Sequence, residues 1–152
     1  MSVDKFPKKV MLATDGSEHS LHAAKKSAQI AKSNDSEVTI VNVLQPYRHL
    51  TTVPGPMDLG GNFVVDNEEE VKKRGKMVME STKKIFDDLS VEVKTRFLMG
   101  NVSKAIIDEA IKEKTDLLVV GATGYGGLSE WLLGSTANKI ARNAPCPVMI
   151  VR

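Results

Sequence analysis

Leu117-Leu118-Val119-Val120-Gly121-Ala122-Thr123-Gly124-Tyr125-Gly126-Gly127 is a short apolar run that stops at a turn holding four glycines in seven residues. An unbroken run of β-favouring residues fits a strand covered on both faces, and such strands belong to parallel sheets layered between helices. The rest of the chain supplies the partners that this reading needs. Lys9 to Ala13, Val38 to Leu44 and Val148 to Val151 are similar apolar runs. Val91 to Leu98 differs by alternating: Val91, Val93, Thr95 and Phe97 fall on one face, and Glu92, Lys94 and Arg96 on the other. That pattern predicts a half-exposed strand near a sheet edge.

Helical periodicity fills the intervals. Ser17 is a candidate N-cap for a helix carrying Leu21, Ala24, Ala28 and Ala31 on one face. Glu68, Glu69 and Glu70 suit the first turn of a second helix, which starts after Asp66 or Asn67 and ends near Leu89, weakened by Gly75. A third runs from about Asn101 with a buried stripe of Ile106, Ile107, Ala110 and Ile111. A fourth opens at Ser135, which is expected to cap it, and turns Ala137, Ile140, Ala141 and Ala144 inward. Five strands alternating with helices predict an α/β fold built on a parallel sheet. Gln45 to Asp66, with three prolines and three glycines, reads as an irregular insertion, flap or partner surface.

The 152 residues fit one domain spanning residues 1–152. With 21 basic and 19 acidic residues scattered along the chain, the net charge of +2 gives no footprint for nucleic acid. No apolar stretch has the length of a signal peptide or membrane span, so a cytoplasmic protein without a membrane partner is expected. Cys146 is the only cysteine and reads as structural.

In doubly wound sheets ligands bind beyond the carboxyl ends of the strands, where the strand order reverses. The turns that follow the first and fourth strands, Ala13-Thr14-Asp15-Gly16-Ser17 and Gly121 to Gly127, are therefore the candidate site. Glycines permit positive φ and let main-chain N–H groups converge on an anion. Gly134-Ser135, at the start of the fourth helix, adds free N–H groups and the positive end of a helix dipole. His19 and His22 share a helix face but lack companions for a metal site, and Trp131 with Leu128 and Leu132 reads as the packing face of a short helix. Between Gly121 and Ser135 there is no lysine or arginine, and Glu130 is the only acid. Binding equipment without phosphoryl-transfer equipment implies a held ligand and slow hydrolysis at most.

The complete spacing, Gly121, two residues, Gly124, nine residues, then Gly134-Ser135, resembles the ATP-binding signature of the universal stress protein family. Val10 to Ser17, Thr115 to Gly121 and Ala144 to Val151 are similar to that family's first strand and turn, fourth strand and ending. The resemblance implies a five-stranded parallel sheet in the order 3-2-1-4-5 and an ATP-binding regulatory protein of the stress response, with ATP, ADP or AMP as ligand, accompanied by Mg²⁺. By position it implies that Asp15 accepts from the ribose, that Ala13 and Thr14 line the nucleoside end, and that Val43 meets the adenine. It places Val120 and Gly121 beside the nucleoside, with Gly121 against the ribose, and Gly124, Gly134, Ser135 and Thr136 towards the phosphates. It further implies a homodimer through the apolar last strand, and a protein partner that the sequence does not specify. Two other readings are an adenylating enzyme, whose Ser-Gly-Gly-x-Asp-Ser or His-x-Gly-His loops do not occur here, and an interaction module with an empty site.

Overall fold

The computed structural model describes residues 4–46, 48–51, 62–65, 67–124 and 132–152, the two short pieces as backbone only. Five strands, β1 (Lys9–Ala13), β2 (Glu37–Leu44), β5 (Val93–Met99), β6 (Leu117–Gly121) and β7 (Val148–Val151), form a parallel sheet in the order β5-β2-β1-β6-β7. Counted along the chain, this is the expected order 3-2-1-4-5. Strand β1 is central, with Val10 level with Val38 on one side and Leu117 on the other.

Neighbouring residues of each strand face opposite ways, and the two faces have separate cores. Val10, Leu12, Ile40 and Val119 meet Ala24, Ala28 and Ala31 of α1 (Glu18–Asn34) and Met79 and Phe86 of α2 (Glu68–Asp87). Met11, Val41, Leu118 and Val120 meet Ile106 and Ala110 of α3 (Val102–Lys112) and Ala137 and Ile140 of α4 (Ser135–Asn143). Small residues on α1 let its axis come close to the sheet. Full burial of a Leu or Ile contributes about 1.5–3 kcal/mol, so these two layers supply most of the cohesion.

Local signals set the helix starts. Ser17 accepts from Ser20 N, Asn67 forms a capping box with Glu70, and Asn101 accepts from Lys104 N. Helix α4 departs from expectation: Gly134 is its N-cap and no side chain caps it, so Ser135 is the first helical residue rather than the cap. Two buried stripes are narrower than expected. Ile111 is 57% exposed and Ala141 is exposed, while Ser103 and Glu109 are buried on α3. Glu109 is tolerated there because Arg96 Nε lies 3.4 Å from its Oε1, from the edge strand β5.

Gly75, read as a weakness of α2, is a fitted position. A methyl group there would run into Leu44 Cδ2 and lie 3.3 Å from Asn42 Oδ1 and Phe97 Cε1, so its absence lets α2 settle on β2 and β5. The stretch from Gln45 to Asp66 is not wholly irregular either. β3 (Arg48–Thr51) and β4 (Asn62–Val65) pair antiparallel, Arg48 opposite Val65, while residues 52–61 lie outside the described residues.

Candidate functional site

Beyond the carboxyl ends of β1, β2 and β6 opens a cavity of about 440 Å³, within the range of small-molecule sites. All ten residues singled out from sequence line it: Ala13, Thr14 and Asp15 after β1; Val43 on β2; Val120, Gly121 and Gly124 on β6 and its turn; Gly134, Ser135 and Thr136 at the start of α4. They come from four segments that the parallel topology brings to one end of the sheet. Tyr125 to Trp131 lie outside the described residues, and with them Gly126, Gly127, Leu128 and Trp131.

The β1 turn is braced from several sides. Thr14 N donates to Val41 O at 3.0 Å, and Asn42 Nδ2 donates to Thr14 O at 2.8 Å. The Thr14 hydroxyl is spent inside the protein, 3.2 Å from Ser20 Oγ and 3.1 Å from Thr82 Oγ1, tying α1 and α2 to the strand. Asp15 Oδ1 accepts from Ser17 N at 2.9 Å, an Asx turn leading into α1. Its Oδ2 faces Gly124, where an added Cβ would stand only 2.5 Å away.

The glycines act differently from the sequence expectation. None of Gly121, Gly124 and Gly134 has positive φ; among the described glycines that conformation belongs to Gly16 and Gly100. What they supply is proximity. A Cβ on Gly121 would lie 2.8 Å from Ser20 N and 2.9 Å from the carbonyl carbon of His19, so the first turn of α1 fills the space where a side chain would be. A Cβ on Gly134 would lie 3.0 Å from Ala122 O, the oxygen that accepts from Gly134 N at 2.7 Å. That bond pins the two ends of the loop together, and the 3.4 Å Ser17 Oγ bond to Thr123 O ties the loop to α1. Gly124 alone keeps its missing side chain facing Asp15.

At the mouth, α4 begins without a side-chain cap, leaving its first N–H groups and the positive end of its dipole to whatever enters. Asp15 and Arg74 are the charged residues of the wall among the described residues. The sequence reading missed Arg74, Gly75, Val71 and Val78 of α2 and Asn42 and Leu44 of β2, which form the far wall. The glycine inside α2 was the one available signal, since a glycine in a helix marks close approach. His19 Nδ1 is 2.8 Å from Thr123 Oγ1 and His22 Nδ1 is 3.1 Å from Arg152 O, so the two histidines face separate partners. No cluster of three His, Cys, Asp or Glu side chains suited to a metal occurs among the described residues. Cys146 lies at the opposite end of the sheet, before β7, where burial pushes its thiol up from the ordinary value. No helix among the described residues is long and apolar enough to cross a membrane.

Known proteins are similar to this chain in sequence and in fold. A universal stress protein of Methanocaldococcus jannaschii is 36% identical over 147 residues, covering 95% of this chain and 82% of its own. The universal stress protein YxiE of Bacillus subtilis is 30% identical, covering 95% and 98%. Among solved structures, the universal stress protein UspA from Lactobacillus plantarum superposes with a TM-score of 0.75 at 18% identity over 99% and 100% of the two chains. A universal stress protein in complex with cAMP gives 0.66 at 24% over 95% and 96%. One from Arabidopsis thaliana with AMP bound gives 0.66 at 21% over 95% and 91%. The model of the universal stress protein family matches residues 7–152, the stretch that contains every strand and helix described above, and the chain belongs to that family.

Proposed function

We propose that the cavity holds an adenine nucleotide, ATP in first place, and that its occupancy rather than its turnover is the chain's regulatory output in a cytosolic stress response. The observation that carries this is the convergence of the two strand turns and an uncapped helix start on one cavity. Main-chain N–H groups and a helix dipole favour phosphate, and the apolar ends of β2 and α2 favour a base. The nucleotides in the related structures, cAMP and AMP, support the adenine part of the reading. In this reading Gly124, Ser135 and Thr136 face the phosphates, and Asp15 takes a ribose hydroxyl on the oxygen left over from its turn. Ala13, Val43, Val120 and Gly121 line the nucleoside, and Gly134 holds the loop's end. A Mg²⁺ ion would enter on the phosphates.

Denaturing the purified protein and identifying what is released tests the reading directly, with calorimetry of ATP binding in the presence and absence of Mg²⁺ as its companion. Stoichiometric adenine nucleotide is expected. The absence of both a released nucleotide and a binding heat would end the proposal.

The last strand carries a second proposal. β7 is an edge of the sheet, its four residues are apolar and half-buried, and an open apolar edge invites pairing. Two copies joined through β7 about a two-fold axis would close it. Light scattering at micromolar concentration is expected to give the mass of a dimer; a monomer would refute this.

A further inference from the structure

Helix α1 carries two histidines about one turn apart, and they hold different parts of the molecule. His22 Nδ1 lies 3.1 Å from Arg152 O, just past β7, whereas His19 Nδ1 lies 2.8 Å from Thr123 Oγ1. Thr123 lines the cavity, in the turn between Gly121 and Gly124, and its carbonyl accepts from Ser17 Oγ at 3.4 Å. His19 is half-buried, and the backbone that carries it is wedged against β6. A Cβ on Gly121 would lie 2.9 Å from the carbonyl carbon of His19 and 3.0 Å from its Cβ. A side chain of the type that titrates near neutral pH is thus held one hydrogen bond from a residue of the cavity wall.

A neutral imidazole can accept at Nδ1, but an imidazolium only donates. We propose that His19 is a positioning residue that makes anion binding in the cavity proton-dependent, with Thr123 as its relay; the anion is the phosphate of the nucleotide reading, on which this rests. In the neutral ring, protonated on Nε2, Nδ1 accepts the Thr123 hydroxyl hydrogen, and the hydroxyl has no donor left for a ligand. Protonation at Nδ1 reverses the bond. Nδ1–H then donates to Oγ1, and the hydroxyl hydrogen is free to donate to a phosphate oxygen. The added positive charge acts in the same direction. Among the described residues, the charged and titratable groups around His19 are Asp15 of the β1 turn, Arg152 after β7, and Glu18 and His22 on α1 itself. The β6 turn as far as Gly124 brings none, and α2 packs on the other flank of α1, where Thr82 and Ser20 meet at Thr14.

The test is calorimetric titration of the full chain, freed of any retained nucleotide, with ATP in buffers of different protonation enthalpy, which counts the protons taken up on binding. The nucleotide's own phosphate also titrates, so the quantity read is the difference between the natural chain and His19→Gln, whose amide cannot titrate. The natural chain is expected to take up more protons than the variant. Its affinity is expected to gain about 3–10-fold more than the variant's between about pH 8 and about pH 5.5. Thr123→Val, close in shape but without the hydroxyl, is expected to lose much of the extra uptake, and serves where His19→Gln does not fold, as judged by urea unfolding. His22→Gln is expected to keep it, since that ring bonds Arg152 O. Equal uptake by the natural chain and a folded His19→Gln or Thr123→Val chain overturns the assignment, as does a loss confined to His22→Gln. Absence of ATP binding at every pH instead removes the nucleotide reading, and this inference with it.

Discussion

Helices α1 and α4 both start at the rim of the same cavity, but the chain finishes them differently. At α1, Ser17 accepts from Ser20 N, Asp15 accepts from Ser17 N, and the first turn is sealed against Gly121. At α4 the N-cap is Gly134, which has no side chain to offer. One start is satisfied from within; the other leaves its donors to a ligand. The contrast separates the residues that build the cavity from those available to what fills it, although both sets stand side by side in its lining.

The contrast can be broken most sharply at Ser135. Ser135→Asp places a carboxylate on the open start of α4, which stabilises the ligand-free helix by about 0.3–1 kcal/mol. It repels phosphate at close range, and a drop in nucleotide affinity on the order of 100-fold is expected. Urea unfolding and calorimetry should therefore move in opposite directions; a joint loss would mean that Ser135 is merely structural.

Gly121→Ala tests the sealed side. Its methyl group meets the backbone of α1 rather than a flexible side chain, so a loss of about 1–3 kcal/mol in stability is expected. Unchanged unfolding would show that α1 does not need this contact.

A paired measurement sharpens the comparison further. Ser17→Ala should cost about 1 kcal/mol with or without nucleotide, as removal of a working N-cap does. Ser135→Ala in ligand-free protein should stay within about 0.5 kcal/mol, since its hydroxyl caps nothing. Equal costs would erase the distinction.

The smallest expected effect is a control at the far end of α4. Burial raises the Cys146 thiol, so little thiolate is present near neutral pH and alkylation should be slower in the native state than in urea. Adding ATP should leave that rate unchanged, because Cys146 is at the other end of the sheet. A large nucleotide effect would imply a rearrangement reaching the whole of α4.

Much of this was legible because it is local. Val10 to Ala13 and Leu117 to Val120 read as covered strands, Ser17 caps where a cap was expected, the third helix starts beside Asn101 as read, and the two strand turns with Gly134-Ser135 located three of the wall segments. What escaped depends on how elements meet. Gly75 looks like a defect until Leu44 is placed against it, and Asn42 is one more β2 residue until Thr14 O is beside it. Ile111 has the spacing of a core position, but α3 rolls so that Glu109 is inside, opposite Arg96. Ser135 has a cap's chemistry, yet the helix begins one residue too early for it to serve. Each of these is decided by a neighbour remote in the chain, which no window of sequence displays.

The central place of β1 has a consequence for synthesis. Its first neighbour, β2, emerges from the ribosome soon afterwards, but its other flank waits for Leu117 to Val120. For most of translation, the first apolar strand therefore has one unpaired side. Such a half-paired strand is a target for chaperones and for self-association, so a nascent chain stalled before residue 117 should be far stickier than the finished protein.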